Sequence, residues 1–212
     1  MNISLELMLF YFTSFFTLIN PLGVMPIFMT MTDSLDEATK RATAKKSTLV
    51  AFILLVFFAL TGQILFRFFG ITVDSLKIVG GVIFFYLGQD MLQARLAKTK
   101  VKDSEVKSYT NDISITPLAI PMICGPGAIT NAIVLMEETS TFAQQVLLIL
   151  SIVLVSFVVY IILRNSSKLY RFLGETGNNV LMRLMGLIVM VIAIEFIISG
   201  LKPIIRDIFM LN

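Results

Sequence analysis

The groups in this chain best placed to do chemistry are peptide groups stripped of their helical partners. Phe16-Thr-Leu-Ile-Asn20-Pro21-Leu-Gly23-Val-Met-Pro26 lies in the middle of one long uncharged run, Leu7 to Thr32. Pro117-Leu-Ala-Ile-Pro121-Met-Ile-Cys-Gly125-Pro126-Gly127 lies in the middle of another, Ile113 to Met136. An interior proline removes a backbone donor and clashes with the preceding turn, at ~3 kcal/mol, and a glycine adds about 1 kcal/mol. Helix breaks are therefore expected at Pro21, Pro26, Pro121 and Pro126. Asn20 before Pro21 has the order of an N-cap and a first helical residue, and Gly125 before Pro126 is a weaker version of it. A helix that begins inside an apolar run turns free amide donors and the positive end of its dipole toward whatever lies there, which suits a carboxylate. The carbonyls that end the preceding half suit an ammonium or a cation. A small zwitterion fits both ends. The candidate substrate-binding residues are Thr17, Asn20, Gly23, Gly125, Gly127, Thr130 and Asn131. Kinking and close packing would explain one such site; two at matching positions favour binding.

Other chemistry is poorly supplied. The chain has no histidine and one cysteine, Cys124, so an internal disulfide is excluded, and no metal cage or catalytic triad is apparent. No enzyme activity, metal or cofactor is expected. Glu195 sits within an apolar stretch, where a carboxylate is a functional candidate by default. It is either a proton-coupling residue or, being a turn or two from Gly200, an interfacial one.

The elements that must position these groups are membrane helices. Of 212 residues, 57% are hydrophobic and 15% charged, far from the soluble norm, and a net charge of +3 gives no argument for nucleic acid. Leu7 to Thr32, Ser47 to Phe66, Ile113 to Met136 and Thr139 to Leu163 are each long enough to cross ~30 Å of hydrocarbon. Ile78 to Gln89 and Leu184 to Ile194 reach spanning length once their bounding charges are included, which gives six spans in an all-α protein. Glu6 and the absence of Lys or Arg before Lys40 argue against a cleaved signal peptide. Links after spans one, three and five carry thirteen Lys and Arg, against four on the other side, which places both termini outside the cytoplasm. The basic run between Arg95 and Asn111 contributes most to that asymmetry.

The chain also repeats itself. Pro21 matches Pro126, Arg67-Phe68-x-Gly70 matches Arg171-Phe172-x-Gly174, and Lys77-x-x-Gly80 matches Arg183-x-x-Gly186, all in nearly one register. Each half, 1–106 and 107–212, holds three spans. An odd number inverts the second copy, so spans one and four are expected to be broken near the bilayer midplane and to meet there.

Asn-Pro-Leu-Gly-x-x-Pro-Ile-Phe at 20–28, Gly-Gly at 80–81, Pro-Leu-Ala-Ile-Pro at 117–121, Gly-Pro-Gly-Ala-Ile-Thr at 125–130 and Arg-Leu-Met-Gly at 183–186 resemble the marks of the MarC family. That family is also called the neutral amino acid transporter family of six-span membrane proteins, and the resemblance covers nearly the whole chain. It implies residence in an inner or plasma membrane and, as in some members, uptake of small neutral amino acids of the glycine or alanine type, coupled to protons. Val24 stands where Asn or Ala is frequent in the family, and Glu195 where Gln is more usual. The second departure weakens a coupling role for Glu195. The competing expectations are a non-transporting membrane scaffold and an exporter of another small solute. The oligomeric state is left open.

Overall fold

A computed structural model describes residues 3–93 and 112–209. The basic link from Arg95 and the boundary between the two halves at residues 106 and 107 lie outside the described residues. Every element among the described residues is helical: α1 (Ile3–Ile19), α2 (Pro21–Met31), α3 (Glu37–Phe69), α4 (Val73–Leu92), α5 (Ser114–Ile123), α6 (Pro126–Glu137), α7 (Phe142–Arg164) and α8 (Ser166–Phe209). Five stretches are long and apolar enough to cross a bilayer, and a sixth crossing is completed if the bent pair α5 and α6 counts as one. The two short apolar runs belong to Val73–Leu92 and Asn179–Phe209, which reach spanning length by including charged residues such as Asp74, Lys77 and Glu195.

Local chemistry sets the ends of these helices. Asp36 caps α3 by accepting from the Thr39 amide at 2.6 Å, and Thr72 caps α4 by accepting from Ser75 at 3.1 Å. α3 stops at Gly70, whose left-handed φ of +62° glycine adopts without a Cβ penalty, while the Ile71 amide reaches back to the Phe66 carbonyl at 2.9 Å. Gly174 interrupts α8 with a φ of +66°.

Proline acts in three different ways. Thr116 and Ile120, each just before a proline, have extended φ/ψ of −125°, 122° and −127°, 125°, because the following ring excludes them from the helical region. α5 is consequently wound loosely, with π-type bonding, and its prolines at 117 and 121 spread the interruption over ten residues rather than confining it to Gly125-Pro126. Asn20, also before a proline, takes the left-handed region instead, at φ 47°. Pro26 makes no break, contrary to expectation: α2 runs through it to Met31. It forgoes a bond to the Leu22 carbonyl on an exposed position, and the buried side chains from Val24 to Thr30 hold the remaining turns in place.

The core lies where α1, α2, α3, α5, α6 and α7 converge, around Phe15, Phe28, Leu55, Ile123 and Ile152. α1 packs on α6 and α2 on α5. α4 and α8 form the most extensive pair, and glycines make it close. A Cβ on Gly81 would stand 2.6 Å from the Ala193 carbonyl, and one on Gly186 would stand 2.8 Å from both the Gly88 carbonyl and the Leu92 amide.

Candidate functional site

The first interruption is one residue wide. The Asn20 amide still bonds the Phe16 carbonyl at 3.0 Å, and its own carbonyl accepts from Gly23 at 2.9 Å and Val24 at 3.1 Å. Its side-chain oxygen accepts from the Gly23 amide at 3.3 Å, so the asparagine caps α2 itself. Pro21 has no N–H to give the Thr17 carbonyl, which leaves that oxygen without its helical partner. A cavity of about 170 Å³ opens beside this break, lined by Thr17, Leu18, Asn20, Phe84, Leu87 and Met122 among others. Since a liquid water occupies about 30 Å³, it has room for a solute of a few heavy atoms. Apart from Thr17, Asn20 and backbone groups, its wall is apolar.

The second interruption is wider. The Cys124 amide bonds the Ala119 carbonyl at 2.8 Å, Gly125 is extended, and α6 leaves at 56° to α5. No side chain caps α6. Its first donors after Pro126, the amides of Gly127 and Ala128, have no intrahelical acceptor. A second cavity of about 240 Å³ lies against this end, lined by Leu18, Lys77, Gly127, Thr130, Asn131 and Phe196 among others. Thr130 Oγ1 and Asn131 Nδ2 are buried in its wall without a hydrogen-bond partner. Lys77 Nζ, also in the wall, is 3.0 Å from the Asp74 carboxylate.

The two cavities stand in series. Along α4 the second touches Val73 and Lys77, and the first touches Phe84 and Leu87; along α8 the order is Phe196, then Ile192 and Val189. Leu18 lines both. Between them Phe84 and Phe196 stack, with ring centroids 6.0 Å apart and planes at 18°. Each ring rests on a glycine of the second break. A Cβ on Gly125 would stand 2.7 Å from the Phe84 ring, and one on Gly127 would collide with the Phe196 ring.

The expected residues are thus divided. Thr17 and Asn20 line the first cavity, and Gly127, Thr130 and Asn131 the second. Gly23 and Gly125 line neither. Gly23 is buried against the Asn20 amide, where a Cβ would stand 2.7 Å from Nδ2, and Gly125 is a notch for Phe84 and the Pro121 carbonyl. Glu195 is exposed and lines neither cavity, although its neighbour Phe196 does. Phe84, Phe196 and Leu18 escaped the sequence reading, which took Lys77 only as a landmark of the repeat. The cluster of glycines at 125 and 127 hinted that something bulky fills the notch, but not which helix supplies it. Among the described residues, no group of three or more Cys, Asp or Glu could hold a metal ion.

Apolar spans, glycine-packed helix pairs and helices that begin inside the bundle define a multi-span integral membrane protein. The chain belongs to the MarC family: residues 5–205 match the MarC family integral membrane protein. It is 37% identical over 191 residues to a UPF0056 membrane protein of Pyrococcus horikoshii, covering 90% of this chain and 92% of that one. A UPF0056 membrane protein of Methanocaldococcus jannaschii is 35% identical over 199 residues, covering 93% and 97%. The Bacillus subtilis protein YvbG is 34% identical over 197 residues, covering 90% and 92%. No solved structure matches the chain.

Proposed function

We propose that the protein is a secondary transporter of small neutral amino acids in an inner or plasma membrane, with its substrate path through the two cavities at the helix interruptions. The observation that carries this reading is their placement. Both lie at helix ends inside the apolar bundle, in series, and each combines backbone groups lacking helical partners with hydroxyl or amide side chains. The uncapped start of α6, with Thr130 and Asn131, suits a carboxylate, and the unpartnered Thr17 carbonyl suits an ammonium. The Phe84–Phe196 stack then separates two compartments that transport would have to join.

An inverted duplication fits the same reading. α2 and α6 are 11 and 12 residues long and both open on a proline. Gly70 and Gly174 share a left-handed φ at matching positions. Two such halves rocking against each other would give alternating access. With both termini outside the cytoplasm, the Lys77 cavity faces outward. Coupling to protons through Glu195 finds little support in its exposed position outside both cavities.

Purified protein in liposomes should take up labelled glycine or alanine saturably under an imposed pH gradient, and Asn20→Ala or Gly127→Leu should abolish uptake. Uptake no greater than in empty liposomes, across a panel of neutral amino acids, would refute the reading. Ligands of the folded state must also raise its apparent stability, so the same panel should include at least one that raises the Tm of the detergent-purified protein.

A further inference from the structure

Serine and threonine inside a membrane helix ordinarily satisfy their hydroxyls on the carbonyl four residues back. Thr13, Thr30, Thr43, Thr61 and Ser151 do so here, at 2.7–3.0 Å. Thr48 and Ser156 do not. Both are buried, 5% and 6% exposed, yet neither hydroxyl has a partner. They sit on different helices, α3 and α7, and both wall the same open groove of about 320 Å³ on the outer face of the bundle.

The rest of that wall is ordered by chemistry. Lys45 lies at one end, about one turn before Thr48. It has no carboxylate within ion-pair distance among the described residues. α3 and α7 cross in opposite senses, so the end near Lys45 is also the Tyr160 end of α7, where the Arg164 guanidinium lies 5.9 Å from the Tyr160 ring centre. Phe52 and Val153 continue the groove away from the charged end, flanked by exposed Leu49 and Phe157. The order along the groove is cation, hydroxyl donors, hydrocarbon.

We propose that this groove is a binding site for an anionic glycerophospholipid. Its phosphate lies by Lys45 and Arg164, its ester carbonyls accept from Thr48 and Ser156, and one acyl chain runs along Phe52 and Val153. A phospholipid presents these three chemistries in this order, and its carbonyls have no donors to offer, which matches two hydroxyls short of an acceptor. The basic end of α3, with Lys40, Arg41 and Lys45, assigns the lipid to the leaflet facing that end, which is the cytoplasmic one in the orientation proposed above.

The test is independent of transport. Detergent-purified protein would be titrated with dioleoylphosphatidylglycerol, dioleoylphosphatidylcholine, oleate and inorganic phosphate while Tm is followed. Phosphatidylglycerol should raise Tm saturably, with much weaker responses to the other three. Lys45→Ala should weaken that response severalfold in apparent affinity. The shape-conserving pair Thr48→Val with Ser156→Ala should weaken it too, while leaving the lipid-free protein as stable as the parent or more so, because two buried unpaired hydroxyls are gone. Equal stabilisation by inorganic phosphate would reduce the site to a plain anion site, and equal stabilisation by phosphatidylcholine or oleate to general wetting by amphiphiles; either overturns the proposal. So would an unchanged response in both variants. A protein that binds this lipid but moves no amino acid would refute the transport reading alone.

Discussion

Asn20 and Gly125 both stand before a proline that opens a buried half-helix, yet the chain behaves differently at the two positions. Asn20 adopts a left-handed conformation, caps its own helix, and lets α1 and α2 continue as one span, Leu5–Met31. Gly125 is extended and supplies no side-chain cap, α6 departs at 56°, and the preceding segment is loosened by two further prolines. The side chain explains the contrast. An asparagine tolerates φ above zero and carries its own acceptor. Glycine brings no acceptor but allows another helix to press its ring against the backbone. One break therefore has its Gly23 and Val24 donors held by Asn20 and is open on its acceptor side, where the Thr17 carbonyl lacks an amide. The other is open on its donor side. Two superficially equal interruptions thus offer opposite halves of a dipole.

The comparison is broken most severely by filling the second notch. Gly125→Ala places a methyl 2.5 Å from the Pro121 carbonyl and 2.7 Å from the Phe84 ring, and backbone cannot yield as a flexible side chain can. Overpacking of this kind costs about 3 kcal/mol, read as a fall in Tm in detergent. Gly23→Ala meets only the far end of the Asn20 side chain and should lose markedly less. Removing the ring instead, by Phe84→Ala, should cost about 3 kcal/mol and unroof Gly125 beside Cys124. That thiol is 1% exposed in the parent and serves as a native reporter. Its labelling by a small maleimide should accelerate in Phe84→Ala, whereas unchanged labelling would mean that the stack does not cover the break.

How much of this could be read from the sequence follows from the range of each interaction. Asn20-Pro21 and Gly125-Pro126 were legible because capping and ring sterics act within four residues, and the spans because hydrocarbon selects on composition alone. Pro26 misled for the converse reason. A local penalty was outweighed by burial of Val24 through Thr30, which only the packed bundle supplies. Gly23 and Gly125 were placed with the ligand, whereas neither lines a cavity and they lie against the Asn20 amide and the Phe84 ring. Phe84 and Phe196 are two of 18 phenylalanines in a chain rich in apolar residues, and nothing in their immediate sequence separates them from the rest. The grouping of Thr17, Asn20, Gly127, Thr130 and Asn131 into two cavities rather than one depends on those rings, and so was beyond local reasoning.

A smaller effect sharpens the contrast at the first break. Asn20→Ala loses both the cap and the tolerance of a left-handed backbone, together about 2 kcal/mol. Asn20→Gly keeps the backbone freedom and should recover most of that loss, since glycine replaces a capping residue at a cost of only a few tenths of a kcal/mol. If the protein transports as proposed, uptake should separate from stability in this pair. If the Asn20 amide contacts the solute, Asn20→Gly would fold like the parent and still transport poorly, whereas a purely structural asparagine would leave transport intact in the glycine variant.

The smallest effect comes from the charged cap outside the spans. Asp36 accepts from the Thr39 amide and hydroxyl at the start of α3, and those bonds hold its carboxyl below the usual aspartate value. A group whose folded pKa is depressed contributes stability that is present above its unfolded pKa and is lost as pH falls through the folded one. Acidification below the ordinary aspartate range should therefore loosen the first turn of α3. The neutral Asn20 cap has no such titration, so amide exchange corrected for its intrinsic pH dependence should rise at 38–40 and not at 23–24. Asp36→Asn, which keeps an acceptor but cannot be protonated there, should remove the pH response while preserving the helix start. Loss of protection at both caps together would mean that acid unfolds the bundle as a whole rather than releasing one carboxylate.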